Sequence, residues 1–262
     1  MIAVTISNAH QKGTPIDLIN AIKEAGFKHV FIEWYNKDWE ISQQQQLDYV
    51  RKLGLNVIFA HLGYQKINNI WLEGEIGEGF VERYKNDLKL CRENDIDLVC
   101  MHLTSKSEAP EPNEIGLKRF QEIADYAQIL GIKIAFENTK IKGYQEYILK
   151  NIKNDNVGIC LDSGHLHAHF KDELNFDLFK DKIFCVHLHD NHGEKDEHLI
   201  PFEGTIDWNW LMDKLIECNY KGPVTMELVY QNHYIEQDMT EFYKRGYKAG
   251  QYLEKMLEEK TA

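Results

Sequence analysis

IKIAFE at 132–137, VGICLD at 157–162 and FCVH at 184–187 each read as a short β-strand whose last residue is a carboxylate or an imidazole. Successive strand residues face opposite sides. In VGICLD, Gly158, Cys160 and Asp162 therefore share one face, and Val157, Ile159 and Leu161 the other. The same split sets Ala135 and Glu137 against Ile134 and Phe136, and in LVCMHL (98–103) it sets Cys100 and His102 against Val99, Met101 and Leu103. Small or polar side chains on one face and large aliphatics on the other suit a closed parallel barrel. The small face fills the interior, the aliphatic face meets helices, and the terminal Glu, Asp or His points inward at the top.

Working outward, the alternation of apolar run and amphipathic segment occurs eight times, with strands expected at 2–7, 28–33, 56–61, 97–102, 132–137, 157–162, 183–188 and 222–227. Thr14 followed by Pro15 marks the first helix start; Gly26, Gly54 and Gly131 follow helices and open strands. The 262 residues, 43% hydrophobic, suit one α/β domain over 1–262, a single-domain (β/α)8 TIM barrel. No linker or compositional shift divides the chain, and QQQQ at 43–46 is too short to count as low complexity.

The chain shows no apolar run of about 18 residues. Its start, MIAVTISNAHQKG, lacks a basic segment ahead of an apolar one. The expectation is a cytoplasmic protein with no membrane partner. Cys91, Cys100, Cys160, Cys185 and Cys218 form no C-x-x-C pair and read as reduced core thiols. A net charge of −12 disfavours non-specific attraction to nucleic acid, although summed charge says nothing of a local basic patch.

Of twelve histidines, all but His29 fall at or after the C-terminal end of a strand, where such barrels build their sites. The strand ends are Glu33, His61, His102, Glu137, Asp162, His187 and Glu227. A buried polar group without a partner costs roughly 2–7 kcal/mol, so this many converging on one space call for a divalent cation. Mixed imidazole and carboxylate suits Mn, Zn or Co better than an all-oxygen Mg or Ca cage. DSGH sets Asp162 and His165 three apart across a strand-to-loop turn, and the segment 187–208 gathers His187, His189, Asp190, Asp196 and His198.

These segments resemble the xylose isomerase-like TIM barrel superfamily, which holds sugar isomerases and epimerases, inosose dehydratase and endonuclease IV. The resemblance spans essentially the whole chain. It implies a one-metal set at Glu137 in AFEN, Asp162 in LDSGH, His187 in VHLHDN and Glu227 in TMEL. His61 in AHLGY, His102 in MHLTS, His165 in DSGH, and Asp196 with His198 in DEH fall where the endonuclease IV pattern supplies its other ligands, so up to three metals are implied. In that pattern Glu137 bridges the His61/His102 metal to the Asp162/His187/Glu227 metal, and His165, Asp196 and His198 hold the third.

The loops separate the functions this ligand set allows. Arg51, Arg83, Arg92, Arg119 and Arg245 all lie in expected helices, whereas a DNA-repair enzyme needs cations, arginine above all, near backbone phosphates. Lysines do occur in the loops (Lys12, Lys37, Lys66, Lys106, Lys140, Lys142, Lys171 and Lys195), but acidic neighbours such as Glu108, Glu111, Asp172, Glu173, Glu194 and Glu197 are expected to offset them. The extended glycine-rich continuation that endonuclease IV carries is absent after FENT. Glu33 and Trp34 in IEWY resemble sugar-handling members, and Trp39, Tyr64 and Trp71 offer flat faces to a sugar ring.

The expected substrate-binding set is Glu33, Trp34, Tyr64, His165 and His189. His10, His192 and His233 read as solvated loop residues, His167 and His169 as supporting or surface groups, and Trp208 and Trp210 as packing residues. The favoured reading is a divalent-metal-dependent sugar or polyol isomerase or epimerase working through an enediolate, with Glu137 and Glu227 as acid and base. Its alternatives are a multinuclear zinc phosphodiesterase or AP endonuclease of the endonuclease IV kind, a dehydratase resembling inosose dehydratase, and a non-catalytic sugar-binding barrel. The partner is a small sugar or polyol rather than nucleic acid, and a homo-oligomer stays compatible.

Overall fold

The computed structural model describes residues 1–7, 9, 11–34, 41–106 and 108–261. Lys37, Trp39 and His10, each given a role above, lie outside them. Eight strands alternate with helices: β1 (Ile2–Ile6), α1 (Pro15–Glu24), β2 (His29–Trp34), α2 (Gln43–Lys52), β3 (Asn56–Leu62), α3 (Glu75–Glu93), β4 (Leu98–His102), α4 (Glu114–Leu130), β5 (Lys133–Glu137), α5 (Tyr144–Asn151), β6 (Val157–Asp162), the short α6 (Phe176–Phe179), β7 (Ile183–His187), α7 (Trp208–Glu217), β8 (Val224–Met226) and α8 (Met239–Thr261). Strands pair in parallel in the order β7-β6-β5-β4-β3-β2-β1-β8. A parallel bridge between Leu188 and Met226 closes the barrel.

Local chemistry explains the starts and stops. Thr14 and Asp17 cap α1 reciprocally, with Pro15 at the first helical position, as its sequence signals. Ser42 and Gln45 do the same for α2, so the glutamine run is that helix's first turn. Gly131 ends α4 in the left-handed region at φ 69, which a side chain would disfavour. β8 begins two residues later than expected, because Gly222 and Pro223 form the turn before it and proline has no amide hydrogen to give a ladder.

The alternation read from sequence divides the core as expected. Phe31, Phe59, Cys100, Ala135, Cys160 and Cys185 fill the barrel interior. Val99, Met101, Ile134, Phe136, Ile159 and Leu161 belong to the larger layer between strands and helices. All five cysteines are free and buried. Phe31 and Phe59 stack at 4.5 Å, and the His187 ring lies over Phe31 at 5.1 Å. This aromatic layer is the floor on which the polar strand ends stand. No helix among the described residues is long and apolar enough to cross a membrane.

Candidate metal centre

Register brings the strand ends level: His102 pairs with Glu137 across β4 and β5, and Asp162 with His187 across β6 and β7. Asp162 also caps the turn that follows it, its Oδ1 accepting the His165 amide at 2.6 Å. That cap folds DSGH back and brings the His165 ring to the same side as Asp162. Asn138 fixes the aspartate from behind, accepting its amide at 2.7 Å and donating to its carbonyl at 2.9 Å.

Glu137 stands at the middle. Its Oε2 is 3.0 Å from His61 Nε2, 3.1 Å from His102 Nε2 and 3.5 Å from His187 Nδ1, while Oε1 is 3.2 Å from His165 Nδ1. Donor atoms of Glu137, Asp162, His187 and Glu227 all lie within 4.8 Å of one another. Two further groups meet the same limit: His61, Cys100, Glu137 and His187; and His189, Asp196 and His198. Asp196 Oδ2 is 3.1 Å from His165 Nε2 and 3.4 Å from His198 Nε2.

Around His187 the geometry suits a cation better than hydrogen bonding. His187 Nδ1 is 3.5, 3.9 and 3.6 Å from oxygens of Glu137, Asp162 and Glu227. Yet both its ring nitrogens are buried without a hydrogen-bond partner among the described residues, as are His165 Nδ1, His189 Nδ1 and Asp196 Oδ1. Buried polar atoms are normally satisfied, so a cluster of orphans aimed at common points is what a metal-binding set would leave.

Electrostatics agree. Burial alone would raise the Glu137 carboxyl, but His102 and His187 beside it hold it well below the usual carboxylate range. Burial opposes charge on His187, yet Glu227 and Glu137 push its pKa up to about 10. Burial raises Glu227 against the pull of His187 and His198.

Above this centre opens a cavity of about 720 Å³. Its lining includes Glu33, His61, Tyr64, His102, Glu137, His165, Asp196, His198 and Glu227. Tyr64 stacks on His102 at 3.9 Å and 11°. Ser7 donates to Glu33 at 2.9 Å.

Several expected residues sit elsewhere. Trp34 is buried in the layer facing the helices, because it follows the inward Glu33 by one residue and alternation turns it away. Trp71 is core as well, its indole donating to the Leu103 carbonyl at 2.7 Å. His189 is fully buried and is not among the described residues lining the cavity; its Nε2 is 3.1 Å from Asp162 Oδ2 and its ring stacks on His198 at 4.1 Å. Asp190 turns away from the donors. Its carboxylate accepts from the amides of Asn191, Phe202 and Ile206 and from the Trp208 indole, so it folds the loop carrying Asp196 and His198.

Cys100, a core thiol by its sequence context, also lies 3.4 Å from Glu137 Oε2. It shares the inward face with His102 one step below it, and that alternation was the available signal.

Four of the five arginines are committed to the scaffold. Arg119 donates to the Ile70, Leu72 and Gly74 carbonyls, Arg83 to the Gly63 carbonyl, Arg51 to Asn94, and Arg245 to Glu203 and Gln237. The expected offset of loop lysines by acidic neighbours holds for Lys142, paired with Glu173 at 2.9 Å. Asp172 pairs with His167 and Glu197 with His192, while Lys195 still acts on Glu197 through charge.

An eight-stranded parallel barrel with clustered His, Cys, Asp and Glu donors at its C-terminal mouth defines the class. The sequence profile of the xylose isomerase-like TIM barrel family matches residues 19–247, and the chain belongs to that family. It is 27% identical over 161 residues to a probable endonuclease 4 of Mycoplasma capricolum subsp. capricolum, covering 52% of this chain and 55% of that protein. It is 25% identical over 229 residues to 2-oxo-tetronate isomerase of Haemophilus influenzae, covering 81% and 86%. The aligned part spans about half the length of the first curated relatives, 47% and 55%.

Among solved structures, D-psicose 3-epimerase from Clostridium cellulolyticum H10 superposes with a TM-score of 0.73 at 15% identity, covering 98% of this chain and 99% of that one. The IOLI protein, described with a zinc atom, gives 0.76 at 20% identity, covering 96% and 97%. At these identities the likeness bears on the fold.

Proposed function

We propose that the protein is a divalent-metal-dependent isomerase or epimerase acting on a sugar, polyol or related hydroxycarbonyl compound. The observation that carries this reading is the convergence of Glu137, Asp162, His187 and Glu227 donors within 4.8 Å beneath a cavity whose described lining includes no arginine. Those four residues would hold the cation, with Mn, Zn or Co fitting the mixed donors. A cation there supplies Lewis acidity to adjacent carbonyl and hydroxyl oxygens.

The chain's own residues do the rest. Glu137 and Glu227 both face the cavity, from β5 and just beyond β8, and are suited to pass a proton across the carbon skeleton. Glu227, raised by burial, is the better proton holder, and Glu137 stays ionised beside His102 and His187. Tyr64 over His102 offers an apolar face to a sugar, and Glu33, positioned by Ser7, offers an acceptor to its hydroxyls.

A second reading, a multinuclear zinc phosphodiesterase, is favoured by the two further donor groups around Glu137 and Asp196. Metal stoichiometry combined with turnover of ketoses, inososes and abasic-site duplex tests the choice. Ketose turnover at one metal per chain supports the isomerase; efficient incision of the duplex overturns it.

A further inference from the structure

Three loops in one sector of the cavity mouth each contribute a lysine: Lys66 after β3, Lys106 after β4 and Lys140 after β5. Among the described residues none of the three makes a side-chain ion pair or hydrogen bond, whereas Lys12, Lys142 and Lys171 are each engaged with a carbonyl or a carboxylate. Like charges gathered on one side of a cleft create a field that a ligand of opposite charge relieves.

The sector is also braced. Asn68 donates to the carbonyls of Ser105 and Glu108 and accepts the Ser105 amide at 2.7 Å, which ties the β3 loop to the β4 loop. The Thr104 and Thr139 hydroxyls, 2.8 Å apart, tie the β4 loop to the β5 loop. Lys66 and Lys106 hold left-handed backbone conformations, φ 60 and φ 63, that are uncommon for residues with a side chain. Of the lining carboxylates, Glu33 on β2, Glu227 beyond β8 and Asp196 after β7 lie outside this sector, and Glu137, at the end of β5, is engaged by His61 and His102.

We propose that this site takes an anionic substrate, with Lys66, Lys106 and Lys140 receiving a phosphate or carboxylate group at the end of the molecule remote from the donor cluster. The inference rests on the isomerase reading for the identity of the reacting end. Ammonium groups present three rotatable donors each and bind such oxygens as point charges, and bracing the loops beforehand lowers the ordering cost of binding. The Thr104, Ser105 and Thr139 hydroxyls line the same sector and can complete the oxygen shell. A DNA backbone would need cations along a groove, and here they occupy one arc of the rim beside a chain of net charge −12.

The test is calorimetric titration of manganese-loaded protein with four probes: a ketopentose 5-phosphate, the unphosphorylated ketopentose, an aldonate and inorganic phosphate. At low salt the anionic sugar bearing the right group should bind at least about tenfold more tightly than the neutral ketopentose, the scale of one charge-assisted hydrogen bond. The phosphate and aldonate arms tell the two sources apart. In the Lys66→Gln/Lys106→Gln/Lys140→Gln variant, checked for folding by its melting curve, that gap should shrink to within about twofold. Equal affinity for charged and neutral sugars in the parent, or a gap that survives the triple change, overturns the proposal. Tighter binding of an abasic-site duplex than of either small anion, lost in the triple variant, overturns it too. Failure to turn over any ketose while the gap persists removes the isomerase reading and leaves the anion site standing.

Discussion

Replacing Gly164 with alanine would drive a methyl group into His189. A Cβ at that position lies 1.9 Å from His189 Cε1 and 2.5 Å from its Nδ1, where carbon contact needs about 3.5 Å. A deficit of this size is beyond the small adjustments a packed interior allows. His189 has nowhere to retreat: it is fully buried, 3.1 Å from Asp162 and stacked on His198. Overpacking costs about 1–3 kcal/mol, and losing a hydrogen bond to a charged group about 1.5–3 kcal/mol. The sum, about 2.5–6 kcal/mol, lowers Tm by roughly 5–24 °C for a chain of this size.

Asp162 would also lose the partner that orients it, which typically weakens metal binding about 10–100-fold. Zinc affinity by chelator competition, read beside a thermal melt, measures both effects. Gly79→Ala in α3 is the control, since its Cβ would meet nothing within 4 Å and a helical alanine should stabilise by about 0.5–1 kcal/mol. A Gly164→Ala protein with unchanged Tm and zinc affinity within about twofold of the parent would refute the claim that His189 braces Asp162.

Glu137→Gln and Glu227→Gln should each lower kcat by about 10²–10⁴ while the protein stays folded, because the amide keeps the shape but cannot accept the proton; near-normal kcat on the true substrate for either removes its acid–base role. His61→Ala should weaken substrate binding or rate and leave metal bound at the Glu137 group. Incision of an abasic-site duplex at low salt, lost in both His61→Ala and Asp196→Ala, would instead establish the phosphodiesterase. Arg119→Met strands the Ile70, Leu72 and Gly74 carbonyls and should destabilise by about 2–4 kcal/mol in urea, with metal affinity intact; a silent change would mean water replaces the guanidinium.

The barrel and its polar mouth were legible because strand alternation is a local property. It decided which face of VGICLD, IKIAFE and LVCMH looks inward, and so which carboxylates and imidazoles meet at the top. The same rule places Trp34 opposite Glu33, in the layer that faces the helices. What the chain could not show is how the long segment after β7 folds. There the Asp190 carboxylate gathers three amides and an indole from residues 191–208, turning itself out of the cluster while Asp196 and His198 turn in. Spacing along a loop carries no periodicity, so only contacts across the fold assign those side chains. The same holds for the lysines, whose charge is balanced or left open by loops that are distant in sequence and adjacent in space.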